Sequence, residues 1–347
     1  MKKLYTTSAY KLYHKRCCER IMRHIRKRKR QTKRLSRQNK PDKKDCPYKK
    51  VLTAPQGFSF LESMTECAQF FARMRSSAYI HFKSNQKSIT IDLAHVNEID
   101  FASVMTLTAI CEELKCEGIN VYGNFPENSF CRQFLIDSGF LNKKYDAYRH
   151  PYRLQSKTEF MSLERGQEKL RIENFIKIRD LTLHISRHLF GEEKENLNLT
   201  TLLKEICGNS IEWSSAYKRQ WTMGAKFEKD KVVLVAIDLG QGILNSLHRK
   251  FTSVLEDLMT LTPDFQILAK AFDRKYGSAS RDENRNKGLP SIKKAYEDGF
   301  IKKLTVITNN AGLHFDNPDK NLTFAKDRNA FKGTLYLFEI DNTCFKQ

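Results

Sequence analysis

The chain has no run of about 18 apolar residues, which excludes a transmembrane helix. Its basic N-terminus lacks the roughly 7–15-residue apolar stretch of a secretory signal, so a cytoplasmic protein is the expectation. It has no CxxC pair: its nine cysteines are odd in number and scattered. Cys111 and Cys116 are too far apart for the common zinc spacing, and the adjacent Cys17 and Cys18 have no His/Cys cluster near them. Mostly buried, reduced thiols follow. There is no GxxxxGK[ST] sequence, which disfavours a P-loop NTPase.

What is present is 347 residues, 40% hydrophobic and 11% aromatic, enough for about two domains with real cores. The net charge of +21 is unevenly placed. Residues 1–50 hold 20 Lys/Arg against 3 Asp/Glu, a net +17, and the remaining residues carry only +4. The basicity therefore belongs to an arm, densest at HIRKRKRQTKR from His24 to Arg34. Such like-charge density repels itself and predicts a flexible segment, with room for a short helix within residues 8–30. Residues 11–50 suit phosphates, on nucleic acid or on an acidic lipid surface, an acidic protein partner, or simply solvent.

From Val51 the composition is ordinary. Helical spacing covers Phe58 to Arg75, a strand covers Ser88 to Ala94, and an apolar helix covers Phe101 to Leu114. A second strand follows from Ile119 to Pro126 and a helix from Asn128 to Gly139. Strand, helix, strand, helix implies a parallel βαβ unit with right-handed crossover. ITIDLAHVNEID, VYGNFP and FLIDSGFL resemble a STAS domain, the fold of anti-sigma-factor antagonists, over residues 51–148. Phosphorylatable members carry a serine directly after the aspartate corresponding to Asp100; here Phe101 and Ala102 intervene before Ser103. The departure favours a packing or docking module over a phospho-switch.

Residues 150–175 read as a polar connection. Helices are expected from Ile172 to Leu189 and from Leu199 to Trp213, the second placing Glu205 and Asn209 one turn apart on one face. Strands at Trp221–Phe227 and Lys231–Ile237 form a hairpin through EKD and run into Asp238-Leu239-Gly240-Gln241-Gly242, where backbone can approach a flat ligand closely. The Gly-, Asn- and charge-rich KYGSASRDENRNKGLPSI then opens a helix near Pro290, whose first N–H groups suit an anion. Two more strands span Lys303–Thr308 and Gly333–Ile340.

In this order, over about 130 residues, these landmarks resemble the GHKL nucleotide-binding fold of gyrase-type ATPases, histidine kinases and anti-sigma-factor kinases. The resemblance implies a Bergerat two-layer α/β sandwich over 149–347, in a chain of overall α/β and α+β class, with ATP and Mg²⁺ as cofactors. It implies an N-box of Glu205, Asn209 and Ser210, a G1 box of Asp238, Gly240 and Gly242, and a phosphate lid from Gly277 to Leu289. In that frame Asp238 accepts from the adenine amine with Thr334, beside Gly333, assisting. Asn209 offers oxygen to Mg²⁺. Gly288 and Leu289 give backbone N–H groups to phosphate, Lys287 and Arg281 are charge partners, and Glu205 is the general base. Trp213 departs from the histidine that anti-sigma-factor kinases commonly have there, and Cys207, Gly208, His184 and His188 read as packing or surface residues.

Three functions fit this reading: an ATPase or ATP-dependent switch, a serine/threonine kinase acting on a protein partner, and a non-catalytic ATP-binding adaptor whose arm binds nucleic acid. A base at Glu205 argues against the third. Many such ATPases dimerise around nucleotide. Two modules that normally sit on separate proteins here share one chain, which suggests an intramolecular contact that regulates the nucleotide site.

Overall fold

The computed structural model describes residues 51–83, 86–141, 144, 160–167, 172–213, 220–250, 262–273, 288–324 and 331–345. All belong to one unit running from Lys50 to Gln347. The basic arm, its expected helix, the boundary between residues 148 and 149, and most of the expected phosphate lid, residues 277–287, lie outside the described residues.

The first half runs β1 (Val51–Thr53), β2 (Gly57–Phe58), α1 (Met64–Met74), β3 (His81–Lys83), β4 (Gln86–Asp92), β5 (Glu98–Ile99), α2 (Phe101–Cys116), β6 (Ile119–Gly123) and α3 (Ser129–Asp137). The second half runs β7 (Phe160–Gln167), α4 (Ile172–Phe190), α5 (Leu197–Trp213), β8 (Gln220–Phe227), β9 (Lys231–Asp238), α6 (Ile243–Lys250) and α7 (Asp264–Phe272). It ends with α8 (Gly288–Glu297), β10 (Lys302–Asn309), β11 (Ala311–His314), β12 (Leu322–Thr323) and β13 (Phe331–Asp341). The chain is thus of mixed α/β composition.

β4 is the centre of a small sheet, parallel to β1 and β6 and antiparallel to β3. The β4–α2–β6 unit has the parallel pairing its sequence order implies. α1 begins six residues later than the apolar spacing suggests, because Gly57 and Phe58 pair with Glu98 and Ile99 as a two-stranded ribbon. Its buried residues, Met64, Cys67, Ala68, Phe71 and Met74 among them, form one stripe. α2 is different: 12 of its 16 residues are buried. A helix apolar on all sides must be covered on all sides. It packs against β6 of the small sheet and against β8 and β9 of a larger one.

The larger sheet has seven strands in the order β12-β11-β10-β13-β9-β8-β7, antiparallel throughout. β7 lies in the stretch whose composition reads as a polar connection; pairing with β8 makes it a strand. Alternation along the strands divides the sheet into two faces. Val235, Ile237, Leu335 and Leu337 point to a back core shared with α1 and α2. Val232, Leu234, Ala236, Tyr336, Phe338 and Ile340 point to a front core shared with α4, α5, α7 and α8. Phe60 meets Phe71 at 5.5 Å and Phe331 at 6.2 Å between ring centroids, joining α1 to the first residue of β13. The two halves are therefore layers of one body, with the large sheet between them.

Candidate functional site

Asp238, the last residue of β9, continues the front-facing alternation of Leu234 and Ala236. Strand register places Trp221 opposite it on β8 and Thr334 opposite it on β13, and Thr308 of β10 pairs with Thr334. Four side chains from four adjacent strands thus form one row across the front face. All four are buried, Asp238 to 5% and Thr308 completely. The Thr308 hydroxyl donates to the Gly333 carbonyl (2.8 Å), accepts from Ile243 N–H (2.9 Å) and lies 3.2 Å from Thr334 Oγ1. Either hydroxyl can be the donor in the contact between the two threonines.

Burial pushes the Asp238 carboxyl up to about 7, against the pull of the Gly240 N–H that it accepts (2.8 Å) and of the Arg75 guanidinium; Glu113 adds to the rise. The turn after Asp238 is held from β10. Asn309 Oδ1 accepts from Leu244 N–H (3.1 Å) and Asn245 N–H (3.3 Å), and Nδ2 donates to the Gln241 carbonyl (2.7 Å). Gly242, with φ +81°, lies so close to this amide that a Cβ would overlap it, which accounts for glycine there. Gly333, at φ +146°, approaches the Asp238 carbonyl in the same way.

The other wall comes from α5, which packs on β8, β9 and α8. Its face carries Glu205, half-buried, and Asn209 one turn later. Gly288, the first residue of α8, lies against the Asn209 side chain, and any Cβ there would overlap the amide. Asn209 Nδ2 is buried with no hydrogen-bond partner among the described residues, as is Trp221 Nε1. A buried donor without a partner carries a desolvation penalty of about 1–3 kcal/mol, so both are groups that an acceptor-bearing ligand would satisfy.

Most of the residues expected from the sequence have a definite place. Asp238, Gly240, Gly242 and Thr334 gather at the ends of β9 and β13. Glu205 and Asn209 share one helix face, and Gly288 and Leu289 open α8 against it. Arg281 and Lys287 lie outside the described residues, and of the Ser210 side chain nothing is described. Trp221, Thr308 and Asn309 belong to the site and carry no local motif; only strand register brings them there. Among the described residues no group of three or more His, Cys, Asp or Glu could hold a metal ion, and no helix is long and apolar enough to cross a membrane. Cys67, Cys111, Cys131, Cys207 and Cys344 are buried free thiols, as expected. Ser103 is fully buried at the start of α2, out of reach of a modifying enzyme in this fold. Compared with protein-family models, curated proteins and solved structures, the chain matches none.

Proposed function

We propose that the front of the large sheet binds Mg²⁺–ATP in a GHKL-type pocket, backed by a STAS-like layer, and that the chain uses the nucleotide as a switch that it resets by hydrolysis. The observation that carries this reading is the cross-strand row of Asp238, Thr334 and Thr308, facing the same side of the sheet as the partnerless amide of Asn209 at the mouth of α8.

The residues fit the ligand by their chemistry. The Asp238 carboxylate accepts from an exocyclic amine, which adenine has and guanine replaces with a carbonyl. Thr334 supports that edge, and the Gly240–Gly242 turn lets the backbone approach a flat ring. Asn209 has one polar atom for a cation and one for a phosphate oxygen or water, whichever way its amide is turned. Gly288 and Leu289 begin a ten-residue helix, whose first N–H groups and dipole favour phosphate. Arg281 and Lys287 are assigned as charge partners by sequence alone. When bound, Mg²⁺ draws charge off the phosphates while keeping several waters, in keeping with a single protein ligand. Glu205, one turn from Asn209, is assigned to take the proton of the attacking water.

The test is Mg²⁺-dependent turnover of ATP by the full chain. Glu205→Ala should lower the rate about 100-fold or more while leaving ATP affinity within a few-fold of wild type. Undiminished turnover in Glu205→Ala would remove Glu205 from the reaction. Binding without turnover in wild type would leave a nucleotide switch with a protein acceptor or none.

A further inference from the structure

Arg75 is the residue that follows α1, and its side chain is 13% exposed. It reaches three segments far from it in the chain. Nε and Nη2 donate to Glu113 Oε2 (2.7 Å) and Oε1 (2.9 Å) on α2, a two-point pair with a carboxylate that is itself 6% exposed. Nη2 also donates to the Leu239 carbonyl (2.9 Å), and Nη1 donates to the Lys332 carbonyl. Four of the five guanidinium N–H groups are thus directed at fixed acceptors, a fork that lysine could not reproduce.

The two carbonyls mark where this fork acts. Leu239 follows Asp238, and Lys332 precedes Gly333 and Thr334. At this level Gly333 lies against the Asp238 carbonyl. Beyond Asp238 no further strand pairing with β13 is present to hold the chain. The Leu239 carbonyl, at the part-buried end of β9, and the Lys332 carbonyl on β13 thus share one donor side chain.

We propose that Arg75 is a positioning residue for the nucleotide site: braced by Glu113, it fixes from behind the sheet the spacing and orientation of the two strand ends that carry Asp238 and Thr334. This rests on the reading of the front face as a nucleotide site. It makes the back layer part of the site's geometry, since α1 and α2 supply the clamp and its brace. The clamp also acts on the charge of Asp238, after burial and the Gly240 N–H. The titratable groups acting there are Arg75, which favours the ionised carboxylate, Glu113, which opposes it more weakly, and the buried phenol of Tyr336 on β13. On the front, α5 contributes Glu205 and the buried Cys207, whose thiol burial holds far above its ordinary value.

The experiment measures affinity for Mg²⁺–ATP as a function of pH in the full chain, for wild type, Arg75→Met, Arg75→Lys, Glu113→Gln and the double variant Arg75→Met/Glu113→Met. The double variant removes both charges together, so that no buried charge is left alone and folding is preserved. Arg75→Met should weaken binding about tenfold or more and move the pH midpoint of binding upward, because a carboxylate that loses its neighbouring cation holds its proton longer. Glu113→Gln should move the midpoint downward. Arg75→Lys should restore the midpoint but not the affinity, since one ammonium cannot hold two carbonyls and a carboxylate. The double variant should fold and still bind at least tenfold more weakly than wild type. A merely structural role would move stability and leave the two midpoints unshifted. Wild-type affinity and midpoint in the folded double variant would overturn the proposal and leave the nucleotide reading standing. No ATP binding by wild type would overturn both.

Discussion

Two buried carboxylates, one on each side of the large sheet, are satisfied to very different degrees. Asp100, behind the sheet, accepts from Ser59 Oγ (2.9 Å), Leu61 N–H (3.1 Å) and Ser103 N–H (2.7 Å), and it caps α2. Asp238, at the front, accepts from Gly240 N–H alone among the described residues. Burial pushes both groups above the usual carboxylate range. The other buried charges at the back, Arg75 and Glu113, are paired with each other, and the rest is closely packed, with Phe58, Phe60, Phe71, Leu107 and Ile110 at or near zero exposure. The front leaves Asn209 Nδ2 and Trp221 Nε1 without partners among the described residues. A protein keeps such unmet polar groups only where they are met some of the time. In the proposed reading the back face is scaffold, and the front face is completed by the nucleotide.

That contrast can be broken most forcefully at the back. Phe71→Ala removes a fully buried ring packed on Phe58, Phe60 and Phe70. It should cost about 3–5 kcal/mol in urea unfolding. Because both cores share the seven-stranded sheet, residues 50–347 should still unfold in one transition followed by tryptophan fluorescence and far-UV circular dichroism. Two separated transitions would mean that the front and back layers stand independently.

A sharper comparison substitutes the back carboxylate. Asp100→Asn keeps the shape and replaces one acceptor with a donor facing three donors. It should cost about 1–3 kcal/mol with little change in nucleotide affinity. A loss of affinity equal to that seen on substituting Asp238 would erase the distinction between scaffold and site.

A third comparison varies pH rather than sequence. Asp238 is raised from 3.8 to about 7 in the fold. Between those values the unfolded chain has released this proton and the folded chain holds it, so its contribution to stability is complete below about 4 and is lost as pH rises through 7. Nucleotide binding runs the other way, because the amine of adenine needs the ionised acceptor. Affinity should rise by up to about tenfold per pH unit below 7 and flatten above it, with uptake of ligand releasing a proton. Titrations in buffers of different ionisation heat check both signs. A flat profile would take Asp238 out of the ligand contact.

Much of this was legible in the sequence, and what was not has a common cause. The helices α2, α4 and α5 follow their apolar spacing to within two residues, and the β8–β9 hairpin turns where Glu228-Lys229-Asp230 suggests. Asp238, Asn209 and Gly288 could be singled out because glycines, an acidic strand end and a Glu-x-x-x-Asn helix leave local marks. The short strands β1, β3, β11 and β12 were missed, since two to four residues show no period. Trp221 and Thr308 enter the site through cross-strand register, which no window of sequence contains. Arg75 was invisible for the same reason: its acceptors lie 38, 164 and 257 residues away. Local chemistry marks the residues of the candidate site, whereas the partners that hold them in place are set by topology.

The most direct test of the front-face reading is calorimetric titration of Mg²⁺–ATP into the full-length protein and its Asp238→Asn variant, with thermal melts of both at pH 8. Wild type should bind ATP in preference to GTP. Asp238→Asn should bind it at least about tenfold more weakly while melting at the same temperature or higher, because a charged carboxylate has left an apolar site. Equal affinity in the two proteins, or no binding of ATP by wild type, would contradict it.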